Sequence, residues 1–471
     1  MYSILEINNV INGKIIYNNY NIIDNFSINS KNIDSNTLFI PIKGEKYDAN
    51  DFILDAIKNG VEACLIDKNY KNKSEVIKVC KKKKISLIEV GDTLNCLDLL
   101  AHDNRKRNSS TTIIGITGSN GKTSIKELLY NILKDDYKVL KTEGNLNNHI
   151  GLPLTLLKLN NHDICILEMG MNHVGEIEYL SNISNPDIAI ITNIGTAHIG
   201  NLGSKENILK AKIEIIKGLK QNGILILNGE DEYLNKINLN SNINIYKYSY
   251  YDIFNLTYKK NKGYYYIDNK KIKIKITGEF DLLNSILAYK IGKLFNIKPN
   301  KLKKLIYNSP KPKMRMETIK YKKNIIINDS YNANYDSMKN GIEYIIKNYK
   351  KNYHILLYLG DMLELGEWSE YYHRMIGKLI NNNIIDILYT TGNEIKYIND
   401  EITDNSIIKK EFKINSLKNI NSISNEIIQD LNNYNKSVLY FKGSRKIGLD
   451  KIVDNLLLNK NKKNPKKKKL T

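Results

Sequence analysis

The chain has 471 residues, and 71 lysines and arginines against 50 aspartates and glutamates give it a formal net charge of +21. That length supports about two to four domains with sizeable cores, and no apolar run approaches the ~18 residues a membrane span needs, so no membrane insertion is expected. The cysteines, Cys64, Cys80, Cys96 and Cys165, are widely spaced with no C-x-x-C pair, which argues against a disulfide framework or a cysteine zinc site.

The charge does not point to nucleic acid. Lysine, asparagine, isoleucine and tyrosine are abundant throughout, and 32 tyrosines stand against 8 phenylalanines. This is a composition bias spread over the whole chain, and the cations are expected on solvated faces. A nucleic-acid binder would concentrate them. The one dense basic run, Lys460 to Lys469, reads as a disordered end. The first residues, Met1 to Glu6, lack the basic-then-apolar pattern of a secretory signal, and a soluble cytoplasmic protein is expected.

In chain order, Leu38–Ile42 reads as a strand, Asp51–Lys58 as a helix and Val61–Ile66 as a strand. The basic, polar stretch Asp103–Ser110 reads as a linker closing a first unit at about residue 107. Strands follow at Thr112–Ile116, Ile164–Leu167, Ile188–Thr192 and Ile224–Leu227, alternating with helical patterns. That rhythm predicts a mostly parallel sheet covered on both faces. Pro310, Lys311 and Pro312 mark the next boundary, and strands at Asn324–Ile327, Ile355–Leu359, Ile384–Tyr389 and Val438–Phe441 repeat the rhythm.

Between the strand at 112–116 and a helical pattern starting at Ser124 lies Gly118-Ser119-Asn120-Gly121-Lys122-Thr123. Glycines let backbone N–H groups turn toward an anion. The helix N-terminus adds positive potential, Lys122 can reach terminal phosphates and Thr123 can offer a hydroxyl to Mg²⁺. Position 116, where the general G-x-x-x-x-G-K-[ST] pattern has its first glycine, is Ile.

Ligands of parallel sheets gather at the carboxyl ends of strands. Glu168 stands there and suits a hard cation, or else is a solvated strand-end carboxylate. His198 follows the strand ending near Asn193 and reads as a ligand or polar-site residue. A helix is predicted over Ser204–Leu219, and Lys212 falls on its apolar stripe with Ile208, Ile215, Ile216 and Leu219. It either snorkels to the rim or is held as a neutral, nucleophilic amine. Gly144–Pro153, rich in amides, is a candidate substrate loop, with Asn145, Asn147 and Asn148 as its polar groups. Asn328–Asn334 suits ribose and base recognition, Lys442–Arg445 suits an anion, and Gly360–Gly366 is a third polar strand-end loop.

Taken together and in this order, these segments resemble the Mur ligases, which use ATP to extend the peptide of the bacterial cell-wall precursor. Glu168-Met169-Gly170-Met171-Asn172, Asn193–His198, Ala211-Lys212, Asp329–Asn334 and Gly360–Glu367 resemble the branch that adds D-alanyl-D-alanine last. The chain departs from the family pattern at Asn29-Ser30-Lys31, Asp48-Ala49-Asn50, Phe280-Asp281, Met314, Asn328 and Tyr335. No Asp-Asn-Pro-Arg motif of the diaminopimelate-adding relatives is present.

The resemblance implies an α/β fold in three domains: a small N-terminal α/β domain over 1–107 that binds the UDP substrate, a central P-loop-type domain with a mostly parallel sheet over 108–312 that binds ATP, and a Rossmann-like C-terminal domain over 313–459, followed by the tail 460–471. It implies ATP contacts by Gly118, Ser119, Asn120, Gly121, Lys122, Thr123, Ser124, Asn284, Arg315, Asp329 and Asn332, and acceptor contacts by Ser30, Lys43, Asn145, Asn147 and Asn148. One Mg²⁺ would be held by Thr123 and Glu168, and a second by His198 and a carbamylated Lys212. Lys122, Glu168, His198 and Lys212 would carry the catalysis. The implied substrates are UDP-N-acetylmuramoyl-tripeptide and D-alanyl-D-alanine, joined through an acyl phosphate by a monomeric, ADP-forming ligase.

Overall fold

The computed structural model describes residues 1–471 except 45, 238–242, 260–261, 279 and 463–471, with backbone only for 460–462. Three α/β units follow one another, each built on its own sheet. In the first, the strands run Lys14–Tyr17, Ser86–Val90, Ala63–Asp67, Thr37–Phe39, Asn25–Ser27 across the sheet, parallel except for the first.

The second sheet is parallel throughout, in the order Asn244–Tyr248, Ile224–Asn228, Ile188–Ile191, Thr112–Thr117, Ile164–Glu168, Val139–Lys141. Its inner strands are almost wholly apolar and buried, as a sheet covered on both faces requires. An antiparallel sheet, Phe254–Lys259, Lys262–Ile267 and Lys270–Lys275, follows it. The third sheet runs Glu317–Tyr321, Asn324–Asp329, Ser437–Lys442, His354–Gly360, Ile387–Thr391, Ile408–Phe412, with only the edge strand Glu317–Tyr321 antiparallel.

Three expectations need correction. Asp103–Ser110 is not a linker up to residue 107: the helix Thr93–Arg107 runs through it. Its polar residues are there because they dock on the second unit. Asn104 Nδ2 donates to the carbonyls of Leu156 and Leu159 at 2.8 and 3.2 Å, and Arg105 Nε donates to that of Ser184 at 2.9 Å. Both side chains are buried. Second, the helix predicted over 204–219 ends at Ile213 and tightens into a 3₁₀ turn over Glu214–Ile216. Third, the C-terminal helix Leu449–Lys462 carries on past the predicted start of the tail. The rest of that tail, 463–471, lies outside the described residues.

Candidate active site

The strand Thr112–Thr117 lies inside the second sheet and delivers the chain to the glycine turn. Ile116 is still in the strand, paired with Glu168 and Ile190, so the turn starts two residues later than the general pattern and needs no glycine at 116. Gly118 has φ +143°, and a Cβ there would lie 1.9 Å from Thr192 Oγ1. The turn is braced from the next strand end. Ser119 N donates to the Asn193 carbonyl at 3.0 Å, Asn120 N to Asn193 Oδ1 at 2.9 Å, and Gly195 N to Ser119 Oγ at 2.8 Å. The helix Lys122–Leu133 opens on Gly121 with no side-chain cap, which leaves its first N–H groups to an anion. Lys122 Nζ donates to the Gly118 carbonyl at 2.6 Å. Burial lowers its pKa, opposed by the Glu168 carboxylate.

Glu168 closes the strand Ile164–Glu168 and is only 4% exposed. The Thr123 hydroxyl donates to its Oε2 at 2.9 Å and Asn147 Nδ2 to its Oε1 at 2.9 Å. Arg315, from the third unit, donates to Thr123 Oγ1 at 3.0 Å, and its guanidinium lies 4.2 Å from the Tyr331 ring centre. Nearby, Asp329 accepts from Lys442 Nζ at 2.6 Å, from the Tyr440 hydroxyl at 3.1 Å and from Met316 N at 3.0 Å.

Further contacts join the second and third units. Asn334 Nδ2 donates to Asn120 Oδ1 at 2.9 Å. His198 Nδ1 lies 3.0 Å from Glu364 Oε2, and the His198 contact is the main cause holding the Glu364 carboxyl below its usual range. Trp368 Nε1 donates to the Gly203 carbonyl at 3.1 Å.

These parts enclose a cleft of about 850 Å³ walled by all three units. Ser119, Asn120, Gly121, Lys122, Thr123, Ser124, Asn145, Asn147, Asn148, Glu168, His198, Asn284, Arg315, Asp329 and Asn332 line it together. Leu94 and Asp98, on the helix Thr93–Arg107, form the wall on the first unit's side.

Four expected residues do not line this cleft. Gly118 shapes the turn from behind. Ser30 is buried, with its carbonyl accepting from Asn59 Nδ2 at 2.7 Å, and Lys43 forms an isolated antiparallel backbone bridge with Asp48; neither lines the cleft. Lys212 does not line it either. It is 1% exposed, on the stripe with Ile208 and Ile215, and burial first, then the Lys122 charge, drives its amine well below the ordinary lysine range. Among the described residues no hydrogen bond or ion pair joins it to His198.

Sequence reasoning missed Lys126, Asp98 and Asp336. Lys126 carried a usable signal, since it falls on the buried stripe of Ile125, Leu129 and Leu133, as Lys212 does on its own.

The Mur ligase middle domain matches residues 116–292, and the Mur ligase glutamate ligase domain matches residues 314–445. The UDP-N-acetylmuramoyl-tripeptide–D-alanyl-D-alanine ligase of Bacillus subtilis is 35% identical over 446 residues, covering 93% of this chain and 93% of that protein. The MurF structure from Acinetobacter baumannii, 24% identical, shares the fold with a TM-score of 0.84 over 97% of this chain and 99% of that one. MurF from Thermotoga maritima, solved in complex with ADP, is 26% identical with a TM-score of 0.78 over 93% of this chain and 98% of that one. On both domain matches and on similarity running nearly end to end, the chain belongs to the Mur ligase family, in the branch of the UDP-N-acetylmuramoyl-tripeptide–D-alanyl-D-alanine ligases.

Proposed function

We propose that the chain spends ATP to join D-alanyl-D-alanine to UDP-N-acetylmuramoyl-tripeptide, as a monomer in the cytoplasm. The observation that carries this reading is the single cleft in which the phosphate turn and Glu168 of the second unit face Arg315 and Asn332 of the third. A terminal carboxylate oxygen of the tripeptide attacks the γ-phosphorus of ATP, and ADP leaves. The amine of the dipeptide then attacks the acyl carbon, loses its proton, and phosphate leaves.

The N–H groups of the phosphate turn and Lys122 neutralise charge on the transferring phosphoryl group. Arg315, Asp329, Asn332 and Asn284 hold the nucleotide from the third unit and its border. Asn145, Asn147 and Asn148 form the acceptor side of the cleft. Contacts between the second and third units close it and exclude water, which would otherwise hydrolyse the acyl phosphate.

A buried carboxylate with a hydroxyl 2.9 Å away fits one Mg²⁺ completed by nucleotide oxygens. When bound, Mg²⁺ would neutralise phosphate charge, with Thr123 and Glu168 as its protein ligands. His198 and Lys212 are the candidates for a second ion. The buried Lys212 amine, held below the ordinary lysine range by burial, suits carbamylation: the unprotonated form of its nitrogen adds to the carbon of CO₂ and gives up a proton to water, leaving an anionic oxygen donor.

The test is ATP-dependent phosphate release with UDP-N-acetylmuramoyl-tripeptide and one amine substrate at a time. D-Alanyl-D-alanine should support turnover; better turnover with lysine, diaminopimelate or glutamate would replace this assignment.

A further inference from the structure

One buried cation of the site has no part in the chemistry above. Lys126 lies one turn beyond Lys122 on the same helix, and its side chain is 1% exposed. Burying an ammonium costs several kcal/mol unless its donors are paired. Here the polar groups it meets are acceptors. Nζ donates to the Thr142 carbonyl at 2.7 Å and to the Gly144 carbonyl at 3.5 Å, and lies 3.4 Å from Glu127 Oε1 and 3.7 Å from Glu168 Oε2. Glu127 is itself held by Lys141 at 2.5 Å.

The two carbonyls belong to the segment that builds the amide-rich loop. Thr142 Oγ1 accepts from Glu168 N at 3.0 Å, which joins the ends of two neighbouring strands. Gly144 then turns with φ +54°, and the loop returns to the same carboxylate through Asn147 Nδ2. Gly170 N donates to the Asn147 carbonyl at 2.9 Å and fixes the loop from its other side. An apolar side chain could fill the volume of Lys126. It could not hold two carbonyls and face a carboxylate at once.

We propose that Lys126 is a positioning residue for the acceptor: its ammonium ties the phosphate-binding helix to the 142–148 segment and to Glu168, so that the loop facing the acceptor is ordered by the helix that faces ATP. The proposal rests on the reading of Asn145, Asn147 and Asn148 as acceptor contacts. It assigns Lys126 no contact with substrate.

The test compares Lys126→Met and Lys126→Arg with the parent protein. In Lys126→Met, KM for UDP-N-acetylmuramoyl-tripeptide should rise about tenfold or more while KM for ATP moves less than about threefold, and Lys126→Arg should recover most of the difference. In the protein without substrates, amide hydrogen exchange over 143–148 should speed up about tenfold or more in Lys126→Met, with exchange in the first unit unchanged. Should Lys126→Met not fold, Lys126→Gln, which keeps one donor for the Thr142 carbonyl, takes its place in both measurements. Unchanged exchange over 143–148, or equal losses in both KM values alongside a general loss of stability, overturns the proposal. A parent protein that does not turn over the UDP-tripeptide overturns the proposed function instead, and the exchange comparison still decides on Lys126.

Discussion

Asp336 Oδ2 accepts both the backbone N–H and the hydroxyl of Thr196, at 2.5 and 2.8 Å. One residue comes from the first turn of the helix Tyr335–Tyr349 and the other from the loop that precedes His198, so a carboxylate of the third unit caps a strand-end loop of the second. Lys205 lies 3.6 Å from the other carboxylate oxygen. The pairing holds the two walls of the cleft in register. Asp336→Ala should lower kcat/KM at least about tenfold, since a hydrogen bond to a charged group contributes about 1.5–3 kcal/mol. Steady-state kinetics, with small-angle scattering to detect a larger radius of gyration, checks this.

Lys122 places its amine at the phosphate turn with the Gly118 carbonyl as its acceptor. Lys122→Ala should reduce turnover by at least ~10²-fold, the scale of losing one charge stabiliser in a water-excluded site. Near-normal turnover in single-cycle phosphate release would defeat the assignment.

Lys212 gives a sharper choice. If it works as a carbamate, Lys212→Ala is nearly inactive, and a short-chain carboxylic acid restores part of the rate by supplying the missing oxygens. If it is a plain buried lysine, the variant loses stability and the added acid does nothing. The rate of the variant with and without acid, in bicarbonate-free buffer, separates the two.

His373 sets a pH dependence. Its ring is fully buried, Nε2 accepts from Met362 N at 3.1 Å, and Nδ1 donates to the Ser369 carbonyl at 2.7 Å. Burial is the main cause lowering its pKa below the ordinary 6.5. The folded protein therefore binds fewer protons here than the unfolded chain as pH falls through 6.5. Its stabilising effect is complete above that pH and is lost as pH falls, by at most about 1.4 kcal/mol per pH unit for one proton. Melting temperature should drop from pH 7.5 to about 5.5, and the slope should flatten in His373→Gln.

How much of this could be read from the sequence follows from how local each cause is. The phosphate turn was legible because glycines, lysine and threonine sit directly between an apolar strand and a helix. Glu168 was legible because it ends an apolar run. The strands Asn244–Tyr248 and Phe254–Lys259 were not, because their residues are mostly exposed and bury almost no apolar face; even the alternating Phe254, Leu256 and Tyr258 stay exposed. Asn104 and Arg105 looked like linker residues because their partners are backbone carbonyls some 50 to 80 positions away. Lys126 gave the same signal as Lys212, a place on a buried helix stripe, but among so many lysines it did not stand out. Ser30 and Lys43 came from the family pattern alone, in a region where this chain departs from it.

The helix Thr93–Arg107 has a consequence for how the chain can be recombined. Its early turns belong to the first unit, its middle carries Asp98 into the cleft wall, and its last turn is sealed by carbonyls of Leu156, Leu159 and Ser184. The first hundred residues are therefore not an exchangeable cassette. A chimera joined at residue 107 would present a foreign helix end to carbonyls shaped for Asn104 and Arg105, and would strand buried acceptors without donors. A junction at Pro310–Pro312 cuts no such helix, though it would still have to match the pairings of Asn334 with Asn120 and of Asp336 with Thr196.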